Sequence, residues 1–455
     1  MSYDTLYFAL FLTAVWLAFD RLPWRGWILL AASIVFYAAA GPRDSLLAAA
    51  IILVNFAFQF LILRDRLWLY LALVIDFGCL AYFKYRVFLA SAAGVDLFTQ
   101  KIVIPLGISF YIFQLSAFLI DLARGRALPF YSLARFALFK LFFGQLIAGP
   151  IMRWRQFGPQ VHALFEGKLA RRDRLIGLGL GLCLLGLIKK VVFADSLSPF
   201  VDSVFRDGPA DIYAAWFGIW LFGFQIYFDF SGYSDIAIGL GYLFGLRLAF
   251  NFRQPYLTRT PQAFWRHWHI TLSQWIRDYL YVPLGGHRGS HLRQISVLVA
   301  VMGLAGLWHG ANWTFVAWGI AWAAVILVWR FAGEALARLG PAEWLLMLVV
   351  TMVLWTFFRA ANFGAAISYL GTLFGAGGMG SARLPSDGAG GVLILAVCLG
   401  LLALHWLEAQ LFTRRALSTL RRLDGPFLRA FFAGSAIWLL LLPKTESNPF
   451  IYFRF

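Results

Sequence analysis

The sequence predicts an all-α, polytopic transmembrane bundle of ten to twelve spans, joined by helices that re-enter the bilayer or lie in its plane. Three observations carry that class. Of 455 residues, 61% are hydrophobic and 13% charged, and the mean hydropathy is +0.74, far outside the range of soluble domains. Apolar runs recur along the whole chain, at about 6–19, 27–41, 46–63, 67–83, 102–120, 133–151, 174–193, 212–228, 233–250, 294–308, 311–329, 343–358, 390–411 and 428–443. Several hold 14 to 16 residues, fewer than the ~20 that cross a bilayer upright, so some of the runs are not spans.

The third observation is a stretch of 36 residues, 294–329, with no Asp, Glu, Lys or Arg. As one straight helix it would run about 54 Å against roughly 30 Å of hydrocarbon. It must break. The only breaking chemistry near its middle is Gly306-Leu-Trp-His309-Gly310-Ala-Asn312, which places His309 between two apolar arms. An ionisable group at such a depth is a functional hypothesis by default; the alternative is a histidine that merely caps a helix end.

Taken in order, the N-terminus lacks a basic region and a small-residue cleavage site, so its first run reads as a retained span. Asp4 before that span and Arg21 and Arg25 after it suggest an outside N-terminus and a cytoplasmic first loop. Arg64 and Arg66 at one end of a later span, with Lys84 and Arg86 at the other, leave orientation undecided. The net charge of +17 comes from short clusters between apolar runs, among them Arg153/Arg155, Arg171/Arg172/Arg174 and Arg421/Arg422. That pattern suits headgroups or an anionic ligand and argues against nucleic acid. Cys79, Cys183 and Cys398 lie inside apolar runs without metal-ligand spacing and read as packing residues. Residues 371–391, rich in Gly, Ser and Pro, read as a loop. The chain shows no repeat and no soluble domain, and 1–455 reads as a single membrane-embedded unit.

Two further stretches carry chemistry. In Gln225-Ile-Tyr227-Phe-Asp229-Phe-Ser231-Gly-Tyr233-Ser234-Asp235, two carboxylates and several hydroxyls interrupt an apolar run. Buried carboxylates need partners, and Arg247, Arg253, Arg266, Arg277 or backbone N–H groups at a helix break are the candidates. Lys189-Lys190, closing an apolar run, either present a point charge to a phosphate or snorkel to the interface. From Thr260 as N-cap and Pro261 as first residue, a helix is expected. Its wheel puts Trp265, Trp268, His269, Leu272, Ile276 and Tyr279 on one face. His267, Thr271, Gln274 and Asp278 take another, about 200° round from His269. His269 is therefore expected inside and His267 outside.

These residues resemble the membrane-bound O-acyltransferase family, and within it the bacterial alginate O-acetyltransferase branch. The resemblance rests on PLGISFYIFQLSAFLIDLARG (105–125), LIAGPIMRWRQF (146–157), IKKVVFAD (188–195) and YFDFSGYSDIAIGLGYLFGLRLAFNFRQPY (227–256). FWRHWHITLSQWIRDYLYVPLGGHRG (264–289), GLWHGANWTFVAWG (306–319) and the terminal PFIYFRF (449–455) complete it. The specific core is about 105–319. The family usually has arginine where this chain has His267. The resemblance implies a bundle walling off a central pore, with His309 the essential histidine and His269 a second polar residue nearby. It also implies an acyl thioester donor, most simply acetyl-CoA, arriving from the cytoplasm. The acceptor would be a hydroxyl at the other face.

A histidine suits base-assisted attack of an alcohol on a thioester because its ordinary pKa lies near neutrality. His309 is then the general base and His269 orients it or the acyl carbonyl, with Trp308 and Asn312 as supporting residues. Asp229, Ser231, Tyr233, Asp235, Arg277, Lys189 and Lys190 are the further candidates for donor binding or support. The favoured reading is O-acetylation of an extracellular polysaccharide such as alginate, in the bacterial inner membrane and with a periplasmic acetyltransferase partner. D-alanyl or peptidoglycan O-acyl transfer is the enzymatic alternative, and an acyl or small-molecule transporter the non-enzymatic one.

Overall fold

The computed structural model describes residues 3–39, 41–95, 104–146, 149–169, 175–376, 389–411, 419 and 425–441. The terminal PFIYFRF, the Arg171/Arg172/Arg174 and Arg421/Arg422 clusters and most of the 371–391 loop lie outside them. Every regular element among the described residues is helical. In chain order these are α1 (Leu6–Arg21), α2 (Arg25–Ala38), α3 (Pro42–Arg64), α4 (Leu67–Leu80), α5 (Arg86–Ala92), α6 (Ile108–Ala123) and α7 (Leu133–Leu141). There follow α8 (Phe143–Leu146), α9 (Trp154–Phe165), α10 (Ile176–Leu187), α11 (Asp195–Asp207), α12 (Ile212–Leu243), α13 (Pro261–His267) and α14 (Ile270–Ile276). The last are α15 (His291–His309), α16 (Trp313–Ala337), α17 (Pro341–Arg359), α18 (Phe363–Leu373), α19 (Ala389–Leu411) and α20 (Pro426–Leu441). A wide π-helical turn, Ile188–Ala194, joins α10 to α11.

Six of the described helical stretches are long and apolar enough to cross a membrane: 42–64, 67–92, 176–207, 291–309, 313–337 and 341–359. That is fewer than the apolar runs suggested, for identifiable reasons. The run at 133–151 is cut at Phe142, whose backbone is non-helical (φ −45°, ψ 113°), leaving α7 with nine residues and α8 with four. The runs at 212–228 and 233–250 are not two spans but one 32-residue helix, α12, followed by extended chain. Others fold as helices of 17 residues or fewer.

The chain forms two compact units. The first comprises 1–187, 233–250 and 420–443. In its interior Lys140 Nζ donates to Gln114 O at 3.0 Å and lies 4.2 Å from the Phe139 ring centre, which holds the buried amino group among Phe118, Phe136 and Phe139. The second comprises the described residues of 188–232 and 251–419. Its centre is aromatic: Trp268, Trp318, Trp322 and Trp355 are all buried. Tilted and edge-on ring pairs such as Trp268–Trp355 (4.9 Å) and Trp355–Phe358 (5.3 Å) bind them together.

Candidate active site

The charge-free run breaks where its chemistry required. α15 ends at His309, and α16 begins at Trp313 behind Asn312, whose Oδ1 accepts the Thr314 N–H at 3.1 Å. The Asn312 amide donates to Ala361 O at 2.9 Å, tying the turn to the segment after α17. α15 and α16 fold back against each other as a hairpin. A methyl group placed on Gly306 would come within 2.0 Å of Phe315 O, and one on Gly319 within 2.0 Å of Met302 O. Glycine at both positions lets the backbones meet. His309 is thereby held buried at the closed end, its ring edge-on to Trp308 (4.9 Å), Trp318 (5.2 Å) and Phe358 (5.0 Å).

His269 arrives by a different device. The single helix expected from Pro261 onward is two helices, because Trp268 is extended and His269 is left-handed (φ 42°, ψ 55°). The wheel therefore does not run through this point: Thr271, assigned to the polar face, is buried. The facing segment 251–254 pins the kink. Asn251 O accepts the Ile270 N–H at 2.9 Å, Asn251 Oδ1 accepts the Thr271 hydroxyl at 2.6 Å, and Arg253 N–H donates to His267 O at 3.0 Å. A non-glycine residue with positive φ costs on the order of 1–3 kcal/mol and persists where its surroundings over-determine it. Here the result is a fully buried imidazole, edge-on to Phe230 at 4.6 Å and against Trp308 at 5.9 Å. The Trp308 indole thus lies against both histidines. The kink lies outside the six spanning helices, and burial pushes the His269 pKa down to about 3, so the ring is neutral at physiological pH. An uncharged ring at this position can accept or donate a hydrogen bond without carrying a charge.

The remaining candidates scatter. Lys189 and Lys190 are buried, not at a membrane edge. Lys189 pairs with Glu408 of α19, while Lys190 Nζ lies 2.8 Å from both Asp195 Oδ1 and Asp229 Oδ1. The π-helical turn aims both ammonium groups inward, where desolvation demands carboxylates. This corrects the expected phosphate-facing or snorkelling position, and it supplies Asp229 with a partner that was not among the four arginines considered. Ser231 is fully buried on α12. Tyr233 and Asp235, though buried, belong to the first unit. Arg277 is exposed and bonds its neighbour Asp278, Nε to Oδ1 at 2.6 Å.

Sequence reasoning missed Phe230, Asn251, Phe358, His405 and Glu408. The last two were visible in principle as an ionisable pair three residues apart inside the apolar run 390–411. Nothing local marks the others.

The two histidines make a paired prediction. His269→Ala should lower acyl transfer by roughly 10² to 10⁴ at matched expression, as for a positioned orienting group. His267 is half-exposed and its Nδ1 lies 2.8 Å from Ala263 O, within its own helix. His267→Arg should leave most activity intact. A dead His267→Arg beside an active His269→Ala would reverse the assignment.

Fold and site together define a helical integral membrane protein with a buried histidine pair set at two breaks in its helices. The model of the membrane-bound O-acyltransferase family matches residues 123–360, which include both histidines, and the chain belongs to that family. It is 39% identical over 394 residues to the "Probable alginate O-acetylase" of Azotobacter vinelandii, covering 82% of this chain and 77% of that one. Against the protein of the same name from Pseudomonas aeruginosa the identity is 36% over 436 residues, with 91% and 82% covered. The "Peptidoglycan O-acetyltransferase" of Helicobacter pylori is 35% identical over 356 residues, with 71% and 67% covered.

Proposed function

We propose that this O-acyltransferase moves an acetyl group from a cytoplasmic thioester, most simply acetyl-CoA, to an acceptor hydroxyl at the other face of the membrane, for O-acetylation of an extracellular polysaccharide such as alginate. It would do so in the bacterial inner membrane, handing the acetyl group to a periplasmic acetyltransferase partner. The observation that carries the reading is the buried His309 at the closed end of a glycine-locked hairpin, sharing the Trp308 indole with His269. The alginate O-acetylases among the relatives support the choice of acetyl group and polysaccharide.

The reaction needs little beyond positioning and one base. His309 takes the proton of the acceptor hydroxyl as its oxygen attacks the thioester carbonyl carbon. The tetrahedral centre collapses with cleavage of the carbon–sulfur bond, and the imidazolium returns its proton to the departing thiolate. Products are an ester and a free thiol, with no net proton released. His269 orients His309 or the acyl carbonyl, and the surrounding indoles exclude water that would hydrolyse the donor. Direct transfer is preferred to an acyl-enzyme, because Cys79, Cys183 and Cys398 are half-buried in apolar helices, surroundings that disfavour a thiolate nucleophile.

Mass spectrometry of cell-surface glycans, with and without the protein, tests the reading. Loss of polysaccharide O-acetyl groups on deletion is the expected result. A peptidoglycan acceptor is the second reading, supported by the Helicobacter relative; loss confined to peptidoglycan would select it. A thiol-release assay separates both from transport, since a transporter consumes no thioester.

A further inference from the structure

α19 lies outside the residues matched by the family model, yet it sends two ionisable side chains into the second unit. His405 is fully buried. Its ring stands perpendicular to Tyr227 at 4.5 Å and tilts against Tyr256 at 5.5 Å. One turn on, Glu408 accepts the Tyr227 hydroxyl at 2.6 Å, pairs with Lys189 and lies 3.8 Å from His405 Nδ1. The helix is thus fastened at Glu408, and His405 is held as a wedge between two tyrosine rings.

Tyr256 closes the segment that pins His269. Between the bonding residues and Tyr256 lies Gln254, which shares with His269 a positive φ, a feature found at no other non-glycine among the described residues. Tyr256 is fixed by its hydroxyl, which donates to Gly223 O at 2.5 Å, and by its carbonyl, which accepts the Trp344 indole N–H at 2.9 Å. Its ring lies 6.1 Å from Trp268, the residue before His269. From that anchored end the chain runs back to Arg253 and Asn251, the residues that bond the kink. On α12 itself, Tyr227 meets His405 and Phe230 meets His269. Those two positions are three apart on one helix, so they share a face. His405 thus touches two residues, Tyr227 on α12 and Tyr256 after Asn251, whose near neighbours in the chain contact His269 or bond its kink.

We infer that His405 is a positioning residue for acyl transfer: wedged between Tyr227 and Tyr256 and fastened through Glu408, it holds the 251–256 segment and hence the left-handed kink at His269. The inference rests on the acyltransferase reading for its kinetic consequence, and on geometry alone for its structural one.

Both consequences are measurable on the full-length protein. His405→Ala should lower kcat per folded molecule by about 10²-fold, the scale of an ångström-sized misplacement transmitted from outside the chemistry, with KM for the thioester unchanged. His405→Phe, which keeps the ring, should recover most of that loss. In a His269→Ala background, His405→Ala should cost little more, because residues acting as one unit are non-additive. A general core role would instead give the same fold-loss in both backgrounds, or a loss accounted for by the amount of folded protein. Either result overturns the inference while leaving wild-type transfer, and the functional reading, untouched. Hydrogen exchange supplies a readout independent of activity. The Ile270 and Thr271 amides should exchange faster in His405→Ala by about tenfold or more, and near the wild-type rate in His405→Phe. Unchanged exchange in His405→Ala overturns the inference even if the protein transfers no acyl group.

Discussion

Replacing His309 with alanine should reduce acyl transfer to background in a protein that still inserts and purifies folded. The fall should be at least the ~10² to 10⁴ attached to a general base, and larger if the imidazole also returns the proton to the leaving thiolate. The side chain packs against Trp308, Trp318 and Phe358. Truncation therefore opens a space in an aromatic wall, and some stability goes with it. A thermal melt of the purified variant, run beside the transfer assay, separates the two effects. Near-normal product acylation by folded His309→Ala protein would falsify the mechanism. His309→Gln is the useful companion: it fills much of the space, cannot act as a base near neutral pH, and should be as inactive as the alanine variant while melting nearer to wild type.

The position of that histidine was legible in the sequence for a reason that does not depend on homology. A run of 36 residues without a charge is too long for one upright crossing, and only one place near its middle carries clustered residues that turn a chain. Length and breaking chemistry together located the hairpin and the ionisable group at its tip. His269 was legible only in outcome. A wheel drawn through Pro261–Tyr279 put it inside, yet the helix stops at His267, and the backbone turns left-handed at His269 itself. What decides its direction is Asn251, 18 residues upstream, and periodicity within one helix holds no record of a long-range backbone bond. The lysines show the same limit. Lys189-Lys190 looked like a membrane edge because two cations end an apolar run, and the carboxylates that hold them inside come from α11, α12 and α19. Length alone does not fix the span count: a run of 14 to 16 apolar residues predicts burial well, but it does not distinguish a short interior helix from a tilted span.

The hairpin that carries His309 yields the second large effect, and it can be isolated by three glycines of similar character. Gly303 and Gly306 lie on α15 and Gly319 on α16. By intrinsic propensity, glycine to alanine inside a helix is favourable by about 1 kcal/mol, so in the absence of packing all three changes should stabilise. Packing separates them. A Cβ on Gly303 would have Ile320 Cγ1 at 3.7 Å as its nearest neighbour, an ordinary contact. On Gly306 it would meet Phe315 O at 2.0 Å, and on Gly319 Met302 O at 2.0 Å. Those obstacles are backbone carbonyls, which no rotamer change can move aside. The two helices must then separate by an ångström or more, and the turn at Gly310–Asn312 moves with them. Gly303→Ala should consequently keep wild-type melting and activity. Gly306→Ala and Gly319→Ala should each lose several degrees of melting temperature. In whatever protein remains folded, transfer should fall by about 10²-fold, because His309 sits three residues beyond Gly306 at the end of the displaced helix. Wild-type activity in Gly306→Ala and Gly319→Ala would mean that the close approach of α15 and α16 does not set the position of His309. A loss of equal size in Gly303→Ala would mean that the helix, and not the contact, is what the substitution disturbs.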